Sequence, residues 1–534
     1  MGNMKKTSYV LVLMVIVILA AVPLLAGCGD DDDEGNNNGE STQKPQTTEA
    51  GFELSGTIDE AGSTSVQPLA EVMATQFEMI HPKVRVNVAG GGSSAGVRAC
   101  ANGTVDLGAA SRDVKISETD VIPYAIARDV VAIVVHPDNP ISELSTEQAI
   151  GIYEGDIDNW SEVGGSDDRI VVVSREEGSG TREVFTDNIT EDIKGDTLFF
   201  DSNGAVKSKV ESESNAIGYL SLGYVVNLKT IKLDGVGPDE DAYTVARRLY
   251  VLTRDEAEGP VAAFIQFCRS KEGQALAEAE GYKPLKLDTK AYEMPDFDAE
   301  ISGSIDIAGS TSVQPLAEAM AAEFEKEHGG VTISISGGGS SAGVRSCAQG
   351  TVDVGAASRD IKLSENDLIP HAIARDVVAI AVHPDNPVSE LSTEQVSDIY
   401  EGEITNWSEV GGNDERIVVV SREEGSGTRE VFTINITEDI KGDALFFDSN
   451  GAVKSKVESE KNAIGYLSLG YVGNLKTIEL DGSGPDESSY PVARRLYLLT
   501  QDVPTGEVKA FLDFCRADEG QAIAEAEGYK PLMK

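Results

Sequence analysis

The strongest constraint on this chain is an internal repeat with a constant offset of 247 positions. Residues 174–183 recur letter for letter as 421–430, and residues 62–69 recur as 309–316. The offset is the same in both comparisons, so the two copies stay in register. Solenoid repeats have periods of roughly 20–50 residues, whereas each copy here is long enough to enclose its own core. The sequence therefore predicts two complete domains of the same fold.

The predicted domains cover residues 53–287 and 301–534, joined by a linker at 288–300 that lacks a clear periodicity. Apolar alternation in the first copy predicts strands, such as those at 84–88 and 130–135, with amphipathic helices between them. Strands that alternate with helices indicate an α/β fold with mainly parallel pairing.

Residues 1–27 are typical of a signal peptide, because Lys5 and Lys6 precede an apolar run at 10–22. The segment ends in Leu-Ala-Gly before Cys28, which resembles the lipobox of bacterial lipoproteins. That resemblance implies cleavage before Cys28 and attachment of lipid to its sulfur, which would anchor the protein to the membrane. An uncleaved transmembrane anchor is the alternative. Either interpretation places the rest of the chain outside the cytoplasmic membrane.

Residues 28–52 are acidic and polar, and they contain few apolar side chains that a core could bury. This composition predicts a disordered, solvated tether. The acidic run at 30–34 lacks the alternating ligand pattern of a calcium loop, so the tether is the favoured interpretation.

The formal net charge of −46 argues against nucleic acid as a partner and against attraction to anionic lipid. The same charge opposes long-range attraction of any anionic ligand. An anion site in this chain must therefore act through short-range contacts.

The cysteines of the two domains obey the repeat, since Cys100 matches Cys347 and Cys268 matches Cys515. In an extracytoplasmic protein this pattern is compatible with one disulfide in each copy, Cys100–Cys268 and Cys347–Cys515. The alternative is four buried free thiols. No Cys-x-x-Cys or paired histidine lies near them, so no metal site is expected.

Three loops rich in Gly, Ser and Thr lie between a predicted strand and a helix, at residues 63–65, 93–94 and 179–181. The start of a helix presents unpaired N–H groups and a partial positive charge, which together favour an anion. Arg175 adds a planar fork of donors that suits an oxyanion. If the loops meet at the carboxyl ends of the strands, they form one anion pocket. The alternative for any single loop is that its Ser or Thr only caps the helix.

The sequence carries no sign of hydrolytic chemistry. The loop at 177–181 is not a nucleotide-binding P-loop, and Ser179 does not lie in a Gly-x-Ser-x-Gly elbow. The five histidines form no cluster in the sequence. We therefore expect a protein that is not an enzyme and that needs neither a metal nor a cofactor.

These loops resemble those of the periplasmic phosphate-binding proteins of phosphate ABC transporters. The matching segments are 61–64, 92–96, 105–109 and 216–219, and the most specific is Arg-x-x-Gly-Ser-Gly-Thr at 175–181. The resemblance implies two tandem domains of the type II periplasmic-binding fold. In that fold two α/β lobes are joined by a two-strand hinge, and phosphate is enclosed between them.

The resemblance also implies the binding residues. In the first copy they are Thr64, Ser65, Ser93, Ser111, Asp113, Arg175, Ser179, Gly180 and Thr181. In the second copy they are Thr311, Ser312, Ser340, Ser358, Asp360, Arg422, Ser426, Gly427 and Thr428.

One position of this set is ambiguous. The family's binding carboxylate accepts a proton from phosphate, which sulfate cannot supply, so an acceptor at this position excludes sulfate. The loop here is one residue longer than the family pattern, and Ser111 and Asp113 compete for the position. Asp113 is taken as the carboxylate and Ser111 as a donor.

The signal-peptide pattern and the two resemblances together imply a lipid-anchored, extracytoplasmic protein that captures inorganic phosphate at two sites. The resemblance implies delivery of phosphate to the permease of an ABC importer. Storage or sensing of phosphate at the cell surface is an alternative, as is binding of another oxyanion such as sulfate or molybdate.

Overall fold

The computed structural model describes residues 54–487 and 489–533. Over these residues the elements of the second copy follow those of the first in the same order, with strands and helices interspersed. This confirms the predicted α/β fold. The predicted signal peptide, Cys28 and the tether lie outside the described residues. In the part of the chain that is described, no helix has the length and apolar character needed to cross a bilayer.

The first copy contains strands β1 to β11 and helices α1 to α7. The strands are β1 (Gly56–Gly62), β2 (Val84–Gly90), β3 (Leu107–Ala110), β4 (Ile122–Val135), β5 (Glu143–Leu144), β6 (Val171–Arg175), β7 (Leu198–Phe200), β8 (Ala216–Ser221), β9 (Lys229–Thr230), β10 (Lys232–Leu233) and β11 (Ala246–Thr253). The helices are α1 (Gln67–Ile80), α2 (Ser93–Ala101), α3 (Thr146–Glu154), α4 (Gly180–Asn188), α5 (Asn203–Ser212), α6 (Gly259–Arg269) and α7 (Lys271–Ala279).

The second copy repeats this set. Its strands are β12 (Gly303–Gly309), β13 (Val331–Gly337), β14 (Val354–Ala357), β15 (Ile369–Val382), β16 (Glu390–Leu391), β17 (Val418–Arg422), β18 (Leu445–Phe447), β19 (Ala463–Ser468), β20 (Lys476–Thr477), β21 (Glu479–Leu480) and β22 (Ala493–Thr500). Its helices are α8 (Gln314–Glu327), α9 (Ser340–Ala348), α10 (Thr393–Glu401), α11 (Gly427–Asn435), α12 (Asn450–Ser459), α13 (Gly506–Arg516) and α14 (Asp518–Ala526).

Each copy folds around a sheet that spans two lobes. In the first copy the strand order is β2-β1-β3-β11-β4-β8-β6-β7, and the second copy has the equivalent order. β1 is parallel to β2 and β3, whereas β11 is antiparallel to β3 and β4. The long strand β4 pairs with β11 along residues 122–130 and with β8 along 131–135. β4 therefore joins a first lobe, built on β1 to β3, to a second lobe, built on β6 to β8.

Helix α1 shows how the local sequence produces this packing. Leu69, Met73 and Phe77 recur at helical spacing and are fully buried. Burying each such side chain contributes about 2 kcal/mol. Pro68 lies in the first turn, where no backbone N–H is needed.

Tyr292, in the predicted linker, bonds to His81 at the end of α1 (2.9 Å). The two copies belong to one compact unit, which extends from Glu53 to Lys534.

The four cysteines in the described residues are buried free thiols, which is the second of the two alternatives and not the disulfides Cys100–Cys268 and Cys347–Cys515. Cys100 on α2 lies in a small apolar cluster, with its Sγ 3.2 Å from the carbonyl oxygen of Leu252. Cys268 on α6 lies in the main core of the first lobe. Cys347 and Cys515 are separated in the same way. Because α2 and α6 carry the two sulfurs into different clusters, no bond joins them.

Glu60 breaks the apolar pattern of the first-lobe core. It lies on β1 and is 2% exposed, and neither carboxylate oxygen has a hydrogen-bond partner among the described residues. Burial raises its pKa to about 8, with a further contribution from the nearby charge of Glu71. The second copy has Ile307 at the equivalent position, also buried. A carboxyl group at this position therefore lowers the stability of the first copy alone.

We expect Glu60→Ile to stabilise the protein, and to do so more at pH 8 than at pH 5. The carboxyl group titrates near pH 4.5 when unfolded and near pH 8 when folded, so its contribution to stability is lost as pH rises across this interval. Thermal denaturation at the two pH values measures the effect. Glu60→Gln is the control, because it cannot titrate but still buries a polar group. A stability gap between wild type and Glu60→Ile that does not grow with pH would contradict this assignment.

Candidate functional site

The three predicted loops converge because the strands of the two lobes end at the seam from opposite directions, β6 being antiparallel to β1 across the shared sheet. β1 and β2 are parallel neighbours, and each runs directly into a loop and a helix, α1 or α2. β6 runs in the same way into α4, on the second lobe. The two sets of loops face each other, since the N–H of Ser94 donates to the carbonyl oxygen of Gly178 (3.2 Å). The structure thus brings the loops of both lobes together.

Close approach at this point requires glycine. A Cβ added to Gly180 would lie 2.4 Å from Ser93 Oγ and 2.8 Å from Ser111 Oγ. Gly180 is the first residue of α4, whose initial N–H groups have no acceptor within the helix. The missing side chain therefore lets the positive end of α4 approach the serine hydroxyls of the first lobe.

A group of buried polar side chains closes the seam between the lobes. Ser65 Oγ lies 2.9 Å from Thr181 Oγ1, which joins the first lobe to the second. Asn203, from the second lobe, donates to Ser65 Oγ (2.9 Å) and to Thr64 Oγ1 (3.3 Å). Ser65, Thr181 and Asn203 are at most 1% exposed. On the first lobe, Ser93 Oγ accepts a hydrogen bond from the N–H of Ser111 (3.0 Å).

Arg175 is buried against this seam with spare donor capacity. Its Nε donates to the carbonyl oxygen of Phe200 (3.2 Å), and its Nη2 donates to that of Asp201 (2.8 Å). Its Nη1 is buried and has no hydrogen-bond partner among the described residues. The pKa of Arg175 is lowered to about 10, mainly by burial and in part by the positive charge of Arg247. A desolvated guanidinium with an unused N–H is energetically incomplete without an anion.

Arg247 is a second buried arginine that the sequence analysis missed. Its Nη1 donates to Thr181 Oγ1 (3.0 Å) and its Nη2 to Ser65 Oγ (3.0 Å), so that it contacts both lobes. Asp129 accepts hydrogen bonds from the other edge of the guanidinium, and its Oδ2 lies 2.9 Å from Nε and 2.7 Å from Nη2. Arg247 and Asp129 are paired residues on the antiparallel strands β11 and β4. The signal in the sequence is the Ala-Arg-Arg-Leu-Tyr segment at 246–250, which recurs at 493–497.

The second copy has the same arrangement. Ser312 Oγ lies 3.0 Å from Thr428 Oγ1, and Arg494 donates to both. Asp376 pairs with Arg494 at 2.6 Å. Arg422 Nη1 is again buried and unpartnered in the described part of the chain, and burial lowers the pKa of this residue to about 10. The remaining predicted residues that are equivalent to those above are Thr311, Ser340, Ser358 and Gly427.

Ser179 and Ser426 fit the capping interpretation. Ser179 is the N-cap of α4, and its Oγ accepts from the N–H of Arg182 (3.3 Å). Ser426 does the same at the start of α11, where the N–H of Arg429 donates to it (3.2 Å). These side chains fix the helix starts that face the seam.

Asp113 and Asp360 make their contacts elsewhere. Asp113 Oδ1 accepts a 2.5 Å hydrogen bond from Tyr250 Oη, and Asp360 has the same contact with Tyr497. Both carboxylates line a cavity of about 590 Å³ between the two copies. A buried carboxylate does pair with the arginine that bonds to Ser65 and Thr181: it is Asp129, whose charge Arg247 neutralises.

The chemistry of the site suits an anion. Hydroxyls, helix-start N–H groups and two buried guanidinium groups converge on one seam in each copy. In the described part of the chain no group of three or more His, Cys, Asp or Glu side chains is placed to hold a metal ion.

Comparison with known proteins agrees with this architecture. The family model for a PBP superfamily domain matches the chain twice, at residues 47–272 and 296–519. The phosphate-binding protein PstS 2 of Streptococcus pneumoniae serotype 4 is 34% identical over 259 residues, covering 45% of this chain and 87% of that protein. The phosphate-binding protein PstS of Bacillus subtilis is 32% identical over 246 residues, covering 43% and 81%.

Among solved structures, an ABC-type phosphate transport receptor from Vibrio cholerae is 34% identical, with a TM-score of 0.38, and the match covers 42% of this chain and 99% of that one. The matches to single proteins thus account for about one copy, whereas the family model accounts for both. The chain belongs to the PBP superfamily, of which it carries two tandem domains, and to the family of the PstS phosphate-binding proteins.

Proposed function

We propose that this chain binds inorganic phosphate at two sites, one in each copy, as the substrate-binding protein of an ABC importer. The observation that carries the proposal is that Nη1 of Arg175 and Nη1 of Arg422 have no hydrogen-bond partner among the residues that the structure describes. Each lies on a buried guanidinium beside a second buried arginine. An anion at the seam would satisfy these donors and offset the repulsion between the two positive charges.

Phosphate suits the seam because it is small, tetrahedral and doubly charged near neutral pH. Donors reach the seam from both lobes, so a tetrahedral oxyanion can bond to each lobe at once. The names of the related proteins of Streptococcus pneumoniae and Bacillus subtilis support phosphate over other oxyanions. We assign binding to Thr64, Ser65, Ser93, Ser111, Arg175, Gly180, Thr181 and Arg247, and to Thr311, Ser312, Ser340, Ser358, Arg422, Gly427, Thr428 and Arg494.

Serine and threonine hydroxyls can also accept the proton that phosphate carries. A hydroxyl has one donor hydrogen and two acceptor lone pairs. Ser65 Oγ already accepts from Arg247 and Asn203, so it can only donate to a ligand. Ser93 Oγ and Ser340 Oγ each accept one backbone N–H, from Ser111 and Ser358, and keep a second lone pair. We therefore propose that these serine hydroxyls, and not Asp113, accept a hydrogen bond from the protonated phosphate.

Movement of the two lobes about β4 and β11 would open and close each site. The contact between Ser65 and Thr181 and the contacts of Asn203 exist only when the lobes meet. Phosphate adds bonds to both lobes and so favours the closed form by its differential affinity. Opening at a permease would release it. We further propose that lipid on Cys28 holds the protein at the outer face of the membrane.

Isothermal titration calorimetry should give two phosphates per chain. Arg175→Met and Arg422→Met should each remove one site, with a loss of affinity at that site of about 100-fold or more, because a buried donor to the anion is lost. Arg169→Met is the control, since Arg169 is exposed and pairs with Asp196. A stoichiometry of one for the wild type, or of two for either variant, would reject the two-site proposal.

Sulfate should compete poorly with phosphate, and Asp113→Asn combined with Asp360→Asn should leave this preference within about two-fold. The reason is that both carboxylates bond to tyrosines beside the cavity between the copies. Competition titrations with sulfate on wild type and double variant measure the preference. A marked gain in sulfate binding by the variant would show that these carboxylates accept the phosphate proton.

Cys28→Ser should release the protein from the membrane. In cells that process lipoproteins, we expect the wild type in the membrane fraction and the variant in the soluble extracytoplasmic fraction. Fractionation followed by immunoblotting measures the distribution. Retention of Cys28→Ser in the membrane would favour an uncleaved transmembrane anchor.

A further inference from the structure

At the contact between the two copies, the same set of charged interactions occurs twice, once in each direction. Arg248 donates to the carbonyl oxygens of Ile361 (2.9 Å) and Lys362 (2.7 Å), and it forms an ion pair with Asp367. Arg495 makes the same contacts in the opposite direction, onto Val114 O (2.9 Å), Lys115 O (2.6 Å) and Asp120. Each copy therefore supplies an arginine to the other.

These arginines are sequence neighbours of the arginines in the anion sites. Arg247 and Arg248 are consecutive on β11, and Arg494 and Arg495 are consecutive on β22. Successive side chains of a strand point to opposite faces. Arg247 thus bonds within its own copy, whereas Arg248 reaches across to the other.

The segments that Arg248 and Arg495 contact begin next to the seam residues Ser111 and Ser358. We call residues 112–120 and 359–367 the post-serine loops, because they follow Ser111 and Ser358. Arg247 Nη1 contacts the carbonyl oxygen of Ser111 (3.3 Å), where the first loop begins. The far end of that loop is held by the second copy. A change in its position would therefore move Ser111.

A salt bridge connects the first post-serine loop to two further elements of the site. Both oxygens of Glu118 accept from Arg112, at 2.8 and 2.7 Å. Arg112 also donates to Ser94 Oγ (3.0 Å), in the first turn of α2. Its Nε lies 3.1 Å from Glu183 on the second lobe, so this arginine also bridges the cleft.

The contact between copies is buried and highly charged. Burial by itself would raise the pKa of Asp120, but hydrogen bonds from Arg375 and Arg495 hold it below its usual value. Arg375 also donates to the carbonyl oxygens of Ile116 (2.7 Å) and Glu118 (2.9 Å). Breaking a buried ion pair leaves an uncompensated charge, so this geometry is strongly enforced.

We propose that Arg248 and Arg495 are positioning residues for the phosphate site of the opposite copy. Arg495 holds the post-serine loop of the first site, and Arg248 holds that of the second. Each copy thus completes the site of the other, although neither arginine touches the ligand. The inference rests on the proposed function, because phosphate binding is its readout.

The test separates the two sites. Arg422→Met leaves only the first site, and Arg175→Met leaves only the second. Added to these parents, Arg495→Lys should weaken phosphate about 3- to 10-fold at the first site and less than two-fold at the second. Arg248→Lys should show the reverse. Lysine keeps the charge but loses the planar fork that reaches two carbonyls and a carboxylate. Calorimetry with inorganic phosphate measures all four combinations.

Control variants test whether the crossed pattern is specific to Arg248 and Arg495. Arg169→Lys and Arg416→Lys alter exposed arginines at equivalent positions and should change neither site. Asp120→Asn tests the same contact from the first copy and should weaken the first site only. A general loss of stability would not follow the crossed pattern.

Equal effects at both sites, or a stronger effect of Arg495→Lys on the second site, would overturn the inference and leave two-site binding intact. Failure of both parents to bind phosphate would overturn the proposed function and this inference with it.

Discussion

The architecture of each copy depends on one buried ion pair between β4, the strand that joins its lobes, and β11. Asp129 on β4 and Arg247 on β11 are 0% and 2% exposed and lie 2.7 Å apart. A buried arginine needs such a partner, because the cost of desolvating its charge is otherwise several kcal/mol. The carboxylate occupies one edge of the guanidinium. The other donors are thereby directed to Ser65 and Thr181, one on each lobe. The pair thus links β4 and β11 to the polar side chains at the seam between the lobes.

The two copies have the same arrangement of side chains at the seam between their lobes, but they differ where they face each other. His371 of the second copy bonds to Glu256 of the first (2.8 Å) and to Thr500 (2.9 Å), and all of this is buried. The equivalents of His371 and Glu256 are Tyr124 and Val503, which form no such pair. In a symmetric homodimer every change appears twice across the interface. Fusion of the copies in one chain removes that requirement, so one side of the contact can diverge alone.

Sequence reasoning succeeded where a feature depends on nearby residues. The strand, the Gly/Ser/Thr loop and the helix start at 179–181 are adjacent in the chain, and Arg175 lies just before them. Reasoning fell short for β4, which was predicted at 130–135 and begins at Ile122. The missed half contains Asp129, whose charge interrupts the apolar pattern. A buried strand can contain a charged residue only where a partner neutralises the charge, and the local sequence does not show which distant residue that partner is.

By itself the sequence determined the duplication, the α/β class, the loops, and the arginine that precedes helix α4 and its equivalent α11. Those features arise from periodicity, helix-start chemistry and repetition, which all act over short stretches of chain. The tertiary structure alone decided that Arg247 belongs to the site, that Asp113 bonds to Tyr250 and that Cys100 and Cys268 stay apart. The physical reason is that strand register and packing bring together residues more than a hundred positions apart, and the local sequence does not encode which of them will meet.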